Sequence, residues 1–234
     1  MTDPLDPPIN EELLLEAARK AVEAGTDVQR AIRDLALEAL GQGRLTAERT
    51  KAVVRTVAEG AARAAAAGGA ELREELLKAM AGLEEALGMT ATATRLAIEE
   101  AAANLKDFTA SDLKRALDDL LALEQLFLDS VAEVGRSTKS RGAGILHDLA
   151  EHARKTGTAF GSRTREACEA IRRKLGRSAA TGMRAGKETA LAVSARLARS
   201  ASQILSGLAD RLEAETRQGS EEGNAPAAGE AADA

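Results

Sequence analysis

The chain contains no tryptophan and no tyrosine, and only three phenylalanines, four prolines and one cysteine among its 234 residues. Sheets are built from β-branched and aromatic side chains, so this shortage excludes a sheet fold. With Cys168 alone no intramolecular disulfide can form, and nothing indicates an oxidising compartment. Every eighteen-residue window carries charge, which excludes a membrane-spanning helix. Met1 to Asn10 holds Pro4, Pro7, Pro8 and two aspartates where a secretory signal needs a basic start and an apolar run, so a cytoplasmic protein, soluble or peripheral to a membrane or storage granule, is expected.

What the chain has instead is alanine. Its 44% hydrophobic content includes 52 Ala and only 47 Leu, Ile, Val or Phe. Large apolar side chains are thus about a fifth of the chain, at the lower edge of what supports a compact fold. The core must be thin, with small residues at close helix contacts. Ala, Leu, Glu, Arg and Lys are the strongest helix formers. The expectation is an all-α protein: short helices plus long hendecad-patterned amphipathic helices, in an extended or elongated bundle with disordered termini.

The net charge of −5 conceals a division. Residues 1–135 hold 15 Lys and Arg against 25 Asp and Glu, residues 136–217 hold 17 against 8, and the tail from 218 adds 4 acids. Either the basic part meets an external anionic surface, or the two parts attract each other within one bundle.

Caps and glycines place the elements. Residues 1–9 are expected to be disordered, 10–135 to form an acidic helical region, 136–144 a hinge, 145–217 a long basic amphipathic helix or helical hairpin, and 218–234 a disordered acidic tail. Asn10 followed by Glu11 and Glu12 starts a helix that Gly25 closes. Thr26 and Gln29 have capping-box spacing for a second helix ending near Gly41 and Gly43, Thr46 caps a third, and Thr109 with Asp112 resembles another capping box. From Leu72 through Leu76, Met80, Leu83, Leu87, Ala91, Thr94, Ile98 and Ala102 to Leu105 the apolar steps are 4, 4 and 3. Leu113, Leu117, Leu120, Leu123, Phe127, Val131 and Val134 then mark the helix with the largest side chains, the best core candidate.

Beyond Gly144 the pattern is the most regular. Leu146, Leu149, Ala153, Gly157, Phe160, Thr164, Cys168, Ile171, Leu175, Ala179, Gly182, Gly186, Ala190, Val193, Leu197, Ala201, Ile204, Leu208 and Leu212 step by 3, 4 and 4 six times. An eleven-residue period keeps such a stripe nearly in line on one helix. Unbroken, the helix would span roughly 105 Å, so it must lie along something, pair with another helix, or fold back at a glycine. Arg154, Arg165, Arg172, Arg173, Lys174, Arg177, Arg184, Lys187, Arg196 and Arg199 flank the stripe. An apolar stripe with basic flanks suits an anionic interface, where long Arg and Lys stems reach outward. It equally suits a helix packed on the acidic half, the commoner fate of such stripes. Gly157 with Gly161 and Gly182 with Gly186 are small-xxx-small pairs, read here as close-packing points ahead of hinges.

His147, Asp148, Glu151 and His152 form the only cluster with ligand chemistry, but the two histidines, five residues apart, point in different directions. Cys168 on the stripe reads as a small buried hydrophobe. No phosphate loop and no nucleophile motif is present, so neither a cofactor nor catalysis is expected. Nucleic acid is a weaker reading, because stacking aromatics are absent and acids interleave the basic arm.

The alanine-rich helices, the eleven-residue stripe from Leu146 to Leu212 and the lack of Trp and Tyr resemble phasins, the bacterial proteins that coat polyester granules. They are similar as well to exchangeable apolipoproteins, and to all-helical proteobacterial families without an assigned activity. The first two resemblances imply a non-enzymatic protein binding a lipid or polymer-inclusion surface through residues 145–215. The alternatives are a helical scaffold or self-associating interaction protein and, third, a polyanion binder.

Overall fold

A computed structural model of the chain describes residues 7–67, 70–103, 110–137, 141–179, 201, 203 and 205. Among them are seven α-helices and no strand: α1 (Glu11–Ala24), α2 (Val28–Gly41), α3 (Ala47–Ala67), α4 (Ala70–Ala103), α5 (Ala110–Ser137), α6 (Arg141–Thr156) and α7 (Ala159–Ala179). The protein is all-α, as its composition requires.

The expected caps account for most boundaries. Asn10 Oδ1 accepts from the Leu13 amide at 3.1 Å, and Gly25, at φ +67°, turns the chain left-handed after α1. Thr46 Oγ1 accepts from the Arg49 amide at 3.1 Å and starts α3. The capping box at Thr26 and Gln29 does not form. Asp27, at φ +51°, takes the cap position without a side-chain bond, the Thr26 hydroxyl donates back to Ala24, and Gln29 is drawn to Glu85 on α4 at 3.2 Å. Thr109 and the expected disordered ends lie outside the described residues, apart from residues 7–9, which precede α1 without regular structure.

α3, α4 and α5 pack on one another and form the centre; α1 lies mainly on α3, α2 on α4, α6 on α5 and α3, and α7 on α4 and α5. The 4, 4, 3 stripe of α4 is buried at Leu76, Met80, Leu83, Leu87, Ala91 and Ile98. Ala79, Ala86, Thr90, Ala93 and Ala97 are buried too, because this helix is clasped by neighbours on more than one side. On α5 the residues Leu117, Leu120, Leu123, Phe127, Val131 and Val134 are all buried. Alanine serves as the thin core foreseen: Ala58, Ala61, Ala62, Ala64 and Ala65 of α3 are buried.

Arg49, 7% exposed, fastens the amino-terminal side. Its guanidinium donates twice to the Ala39 carbonyl near the end of α2, at 3.1 and 2.9 Å, and once to Pro7 at 2.9 Å. A free helix-end carbonyl and the incoming segment are thus satisfied by one planar fork of donors.

Helices occupy both ends of the expected hinge, 136–137 and 141–144. α5 continues through Gly135 to Ser137 and α6 begins at Arg141, so the flanking glycines sit inside helices. Gly142 is buried against the backbone of Ala62 on α3, while Gly144 faces open space. Small size at the crossing point, not flexibility, explains Gly142.

Candidate functional site

Within the described residues the basic arm bends at Gly157. α6 ends at Thr156, and Gly157 adopts φ +79°, its amide donating to Ala153 at 2.7 Å. That conformation is open to glycine at little cost. Gly157 therefore serves as a left-handed corner, which corrects its reading as a close-packing point. Thr158 follows as the cap of α7, its hydroxyl oxygen accepting from the Gly161 amide at 3.0 Å.

A carboxylate from another helix completes this cap. Glu124 Oε1, on α5, accepts from the Thr158 amide at 2.8 Å and from its hydroxyl at 2.7 Å, and Glu124 Oε2 accepts from Arg165. The carboxylate lies against Gly161, in space that a Cβ there would fill. It also sits at the helix amino end, where the dipole favours negative charge. Partial burial works against the charged form, but the bonds from Thr158 and the Arg165 guanidinium outweigh it and hold the Glu124 pKa below the ordinary carboxylate value.

Two further ion pairs flank this one. Arg154 on α6 meets Asp129 at 2.7 Å, and Arg172 on α7 meets Asp118 at 2.7 Å. The partners run in opposite order along the chain, so the acidic face of α5 pairs antiparallel with the arm. Glu124 is the most buried of the three acids, its side chain 13% exposed against 50% for Asp118 and 57% for Asp129. A bond from Gln125 and the neighbouring Arg154 hold Asp129 below its usual range as well.

The described part of the stripe is covered. Leu146, Phe160, Cys168 and Ile171 are buried, and Leu149 packs partly buried against the core. The rings of Phe160 and Phe127 meet edge to face, with centroids 6.0 Å apart and planes at 75°. Cys168 faces the Leu117 carbonyl, and burial pushes its thiol pKa up. Ala201 on the stripe is buried too, and so is Leu205, which lies beside it. Leu175, Lys174 and Arg177 lie in α7 with side chains outside the description, and Arg173 is exposed, reaching Glu169 at 3.4 Å. Val193, Leu197, Ile204, Leu208, Leu212, Arg184, Lys187, Arg196, Arg199 and the Gly182 and Gly186 pair lie outside the described residues.

The histidine cluster is divided over the helix surface. His147 is half-buried beside Gly135, whereas Asp148, Glu151 and His152 are exposed and Glu151 pairs with Lys155 at 3.9 Å. Among the described residues no group of three or more His, Cys, Asp or Glu could hold a metal ion, and no helix is long and apolar enough to cross a membrane.

A cleft of about 530 Å³ opens between α2, α4, α5 and α7, with Met89, Leu120 and Phe160 as apolar lining and Gln29, Glu85, Thr92 and Arg95 among its polar groups. Those polar groups are engaged within the bundle: Gln29 with Glu85, Glu85 with Arg33 at 3.1 Å, Thr92 with Gly88 at 2.9 Å, and Arg95 with Glu99 at 2.8 Å.

The family DUF6781, described as a family of unknown function, matches residues 6–214. This chain belongs to that family. The DUF6781 match therefore takes in all seven helices and both the acidic and basic parts. No curated protein and no solved structure matches the chain.

Sequence reasoning passed over Asp118, Glu124, Asp129 and Thr158, which carry the interhelical polar contacts. The Gly157-Thr158 pair was the available signal, since a glycine followed by a capping residue ends one helix and starts another.

Proposed function

We propose that this chain is a non-enzymatic cytoplasmic helical interaction protein, a scaffold whose basic arm packs on its own acidic half. The observation that supports this most is the pairing of Arg154, Arg165 and Arg172 with three carboxylates of α5 while Leu146, Phe160 and Ile171 are buried. An arm so engaged presents its charge and apolar stripe inward, and partners then meet the assembled bundle. Light scattering and cross-linking of the full chain test the reading. Cross-links between residues 141–172 and α5 within one chain are expected, together with a defined oligomeric mass. Failure to find links between the two parts would overturn it.

Binding to an anionic lipid or polymer-inclusion surface is the second reading. It draws support from the sequence beyond 180, where Val193, Leu197, Ile204, Leu208 and Leu212 continue the stripe beside Arg184, Lys187, Arg196 and Arg199. Flotation of the full chain with anionic but not neutral vesicles, weaker at high salt, would favour it. Polyanion binding is the third; a mobility shift with DNA or RNA at low salt is its requirement.

A further inference from the structure

α7 is held by a few apolar side chains and a cluster of polar contacts to α5. α5 buries Leu117, Leu120, Leu123, Phe127, Leu128, Val131 and Val134, but the described face of α7 buries only Phe160, Cys168 and Ile171 as apolar groups above alanine in size, with the polar Thr164 between them. Over the described residues 159–173 the apolar contribution to docking is correspondingly modest. The polar one centres on Glu124, which bonds the amide and hydroxyl of Thr158 and the guanidinium of Arg165, with the more exposed Arg172–Asp118 pair further along α7. The segment carrying these contacts leaves α6 through Gly157, whose left-handed conformation ends one helix before the next begins.

We propose that Glu124 is a latch, and that α7 opens from α4 and α5 as a separate unit when its hold on Thr158 and Arg165 is released. Helices with few buried apolar contacts open locally at lower free energy than the fold as a whole. Opening uncovers Leu117, Leu120 and Phe127 on α5 together with Phe160 and Ile171 on α7, two complementary apolar surfaces presented at once. The inference stands whichever partner the bundle binds.

The chain carries its own reporter. Cys168 is its single cysteine, is 1% exposed, and lies on the buried face of α7. Its alkylation by a maleimide in native buffer measures how often α7 opens. The full chain is compared with Glu124→Ala, Glu124→Gln and Gly161→Ala, and hydrogen exchange is followed by peptide. Glu124→Ala loses both the cap and the ion pair and is expected to react about tenfold faster, with Glu124→Gln, which keeps an acceptor for Thr158, in between.

Gly161→Ala separates the latch from general helix stability. Alanine alone strengthens a helix over glycine, so without a latch this variant reacts roughly twofold to fivefold more slowly. Because the new Cβ takes the place of the Glu124 carboxylate, the latch predicts faster reaction instead. Faster alkylation in Glu124→Ala and Gly161→Ala, with exchange raised in 159–171 and unchanged in α3 and α4, is the expected result. A Glu124→Ala rate within twofold of the parent, slower reaction of Gly161→Ala, or exchange rising equally in α3, α4 and α7 would overturn the proposal.

Discussion

Two glycines two positions apart in α6 should respond to alanine in opposite directions. A Cβ built on Gly142 lies 2.6 Å from the Ala62 carbonyl oxygen and 3.2 and 3.3 Å from its Cα and carbonyl carbon. All three atoms are backbone in the middle of α3, so none can rotate away, and α6 must withdraw by roughly 0.8 Å to restore ordinary contact. Overpacking of this kind costs about 1–3 kcal/mol. It is offset by about 0.5–1 kcal/mol from replacing glycine in a helix, leaving Gly142→Ala destabilised by up to about 2.5 kcal/mol. Gly144 meets nothing within 4 Å, so Gly144→Ala keeps the favourable part alone. In a chain of this size about 1 kcal/mol moves the melting temperature by about 2–4 °C. Thermal unfolding followed by circular dichroism at 222 nm should therefore place Gly142→Ala below the parent, by up to about 10 °C, and Gly144→Ala about 1–4 °C above it. Equal stabilisation of both variants would refute the contact between α6 and α3 at Ala62.

Arg49→Ala removes the bonds to Ala39 and Pro7 and should cost about 2–3 kcal/mol in urea unfolding; Arg49→Lys should restore little, since an ammonium cannot supply the planar fork. Phe160→Ala leaves Phe127 without its edge-to-face partner and should cost about 3 kcal/mol by the same measurement. Acid unfolding should begin from the interhelical carboxylates. Glu124 and Asp129 have folded pKa values below their unfolded ones, so their contribution is full above the ordinary carboxylate pKa, near 4, and is lost as pH falls from there through the folded values. Urea midpoints measured between pH 6 and pH 2 should fall most steeply below about pH 4.5, and the fall should shrink in Glu124→Gln.

Why some elements could be read from the chain and others could not follows from the range of the forces involved. Asn10, Gly25 and Thr46 act within three or four residues of themselves, and the structure shows each acting at its expected place. The α4 and α5 stripes are likewise periodic over many turns, so the core residues Leu76, Leu83, Leu117 and Phe127 were visible in advance. Gln29 shows where local reading fails: its spacing from Thr26 is right for a capping box, but Glu85, 56 residues away, binds it instead. Gly142 fails for the same reason, since a glycine at a helix crossing and one in a hinge look alike until Ala62 is seen opposite. Glu124 was the hardest, because a cap borrowed from another helix leaves no mark near the residues it caps. As for a ligand site, the sequence offered the four-residue cluster at His147, and the structure scatters it.

The position of the corner at Gly157 follows from the stripe itself. Gly157 occupies a stripe position between Ala153 and Phe160, yet has no side chain to bury, so breaking the helix there sacrifices no apolar contact. A break at any flanking large residue would turn Leu149 or Phe160 off the face that α5 covers. The amide and carbonyl groups freed by the break would ordinarily weigh against it. Here the Gly157 amide still finds Ala153, and the Thr158 amide finds Glu124. The eleven-residue rhythm thus does not require one straight rod. It allows α6 and α7 to lie on one partner, α5, with a bend between them, and it explains how the part of the stripe from Leu146 to Ile171 is covered although large apolar residues are few.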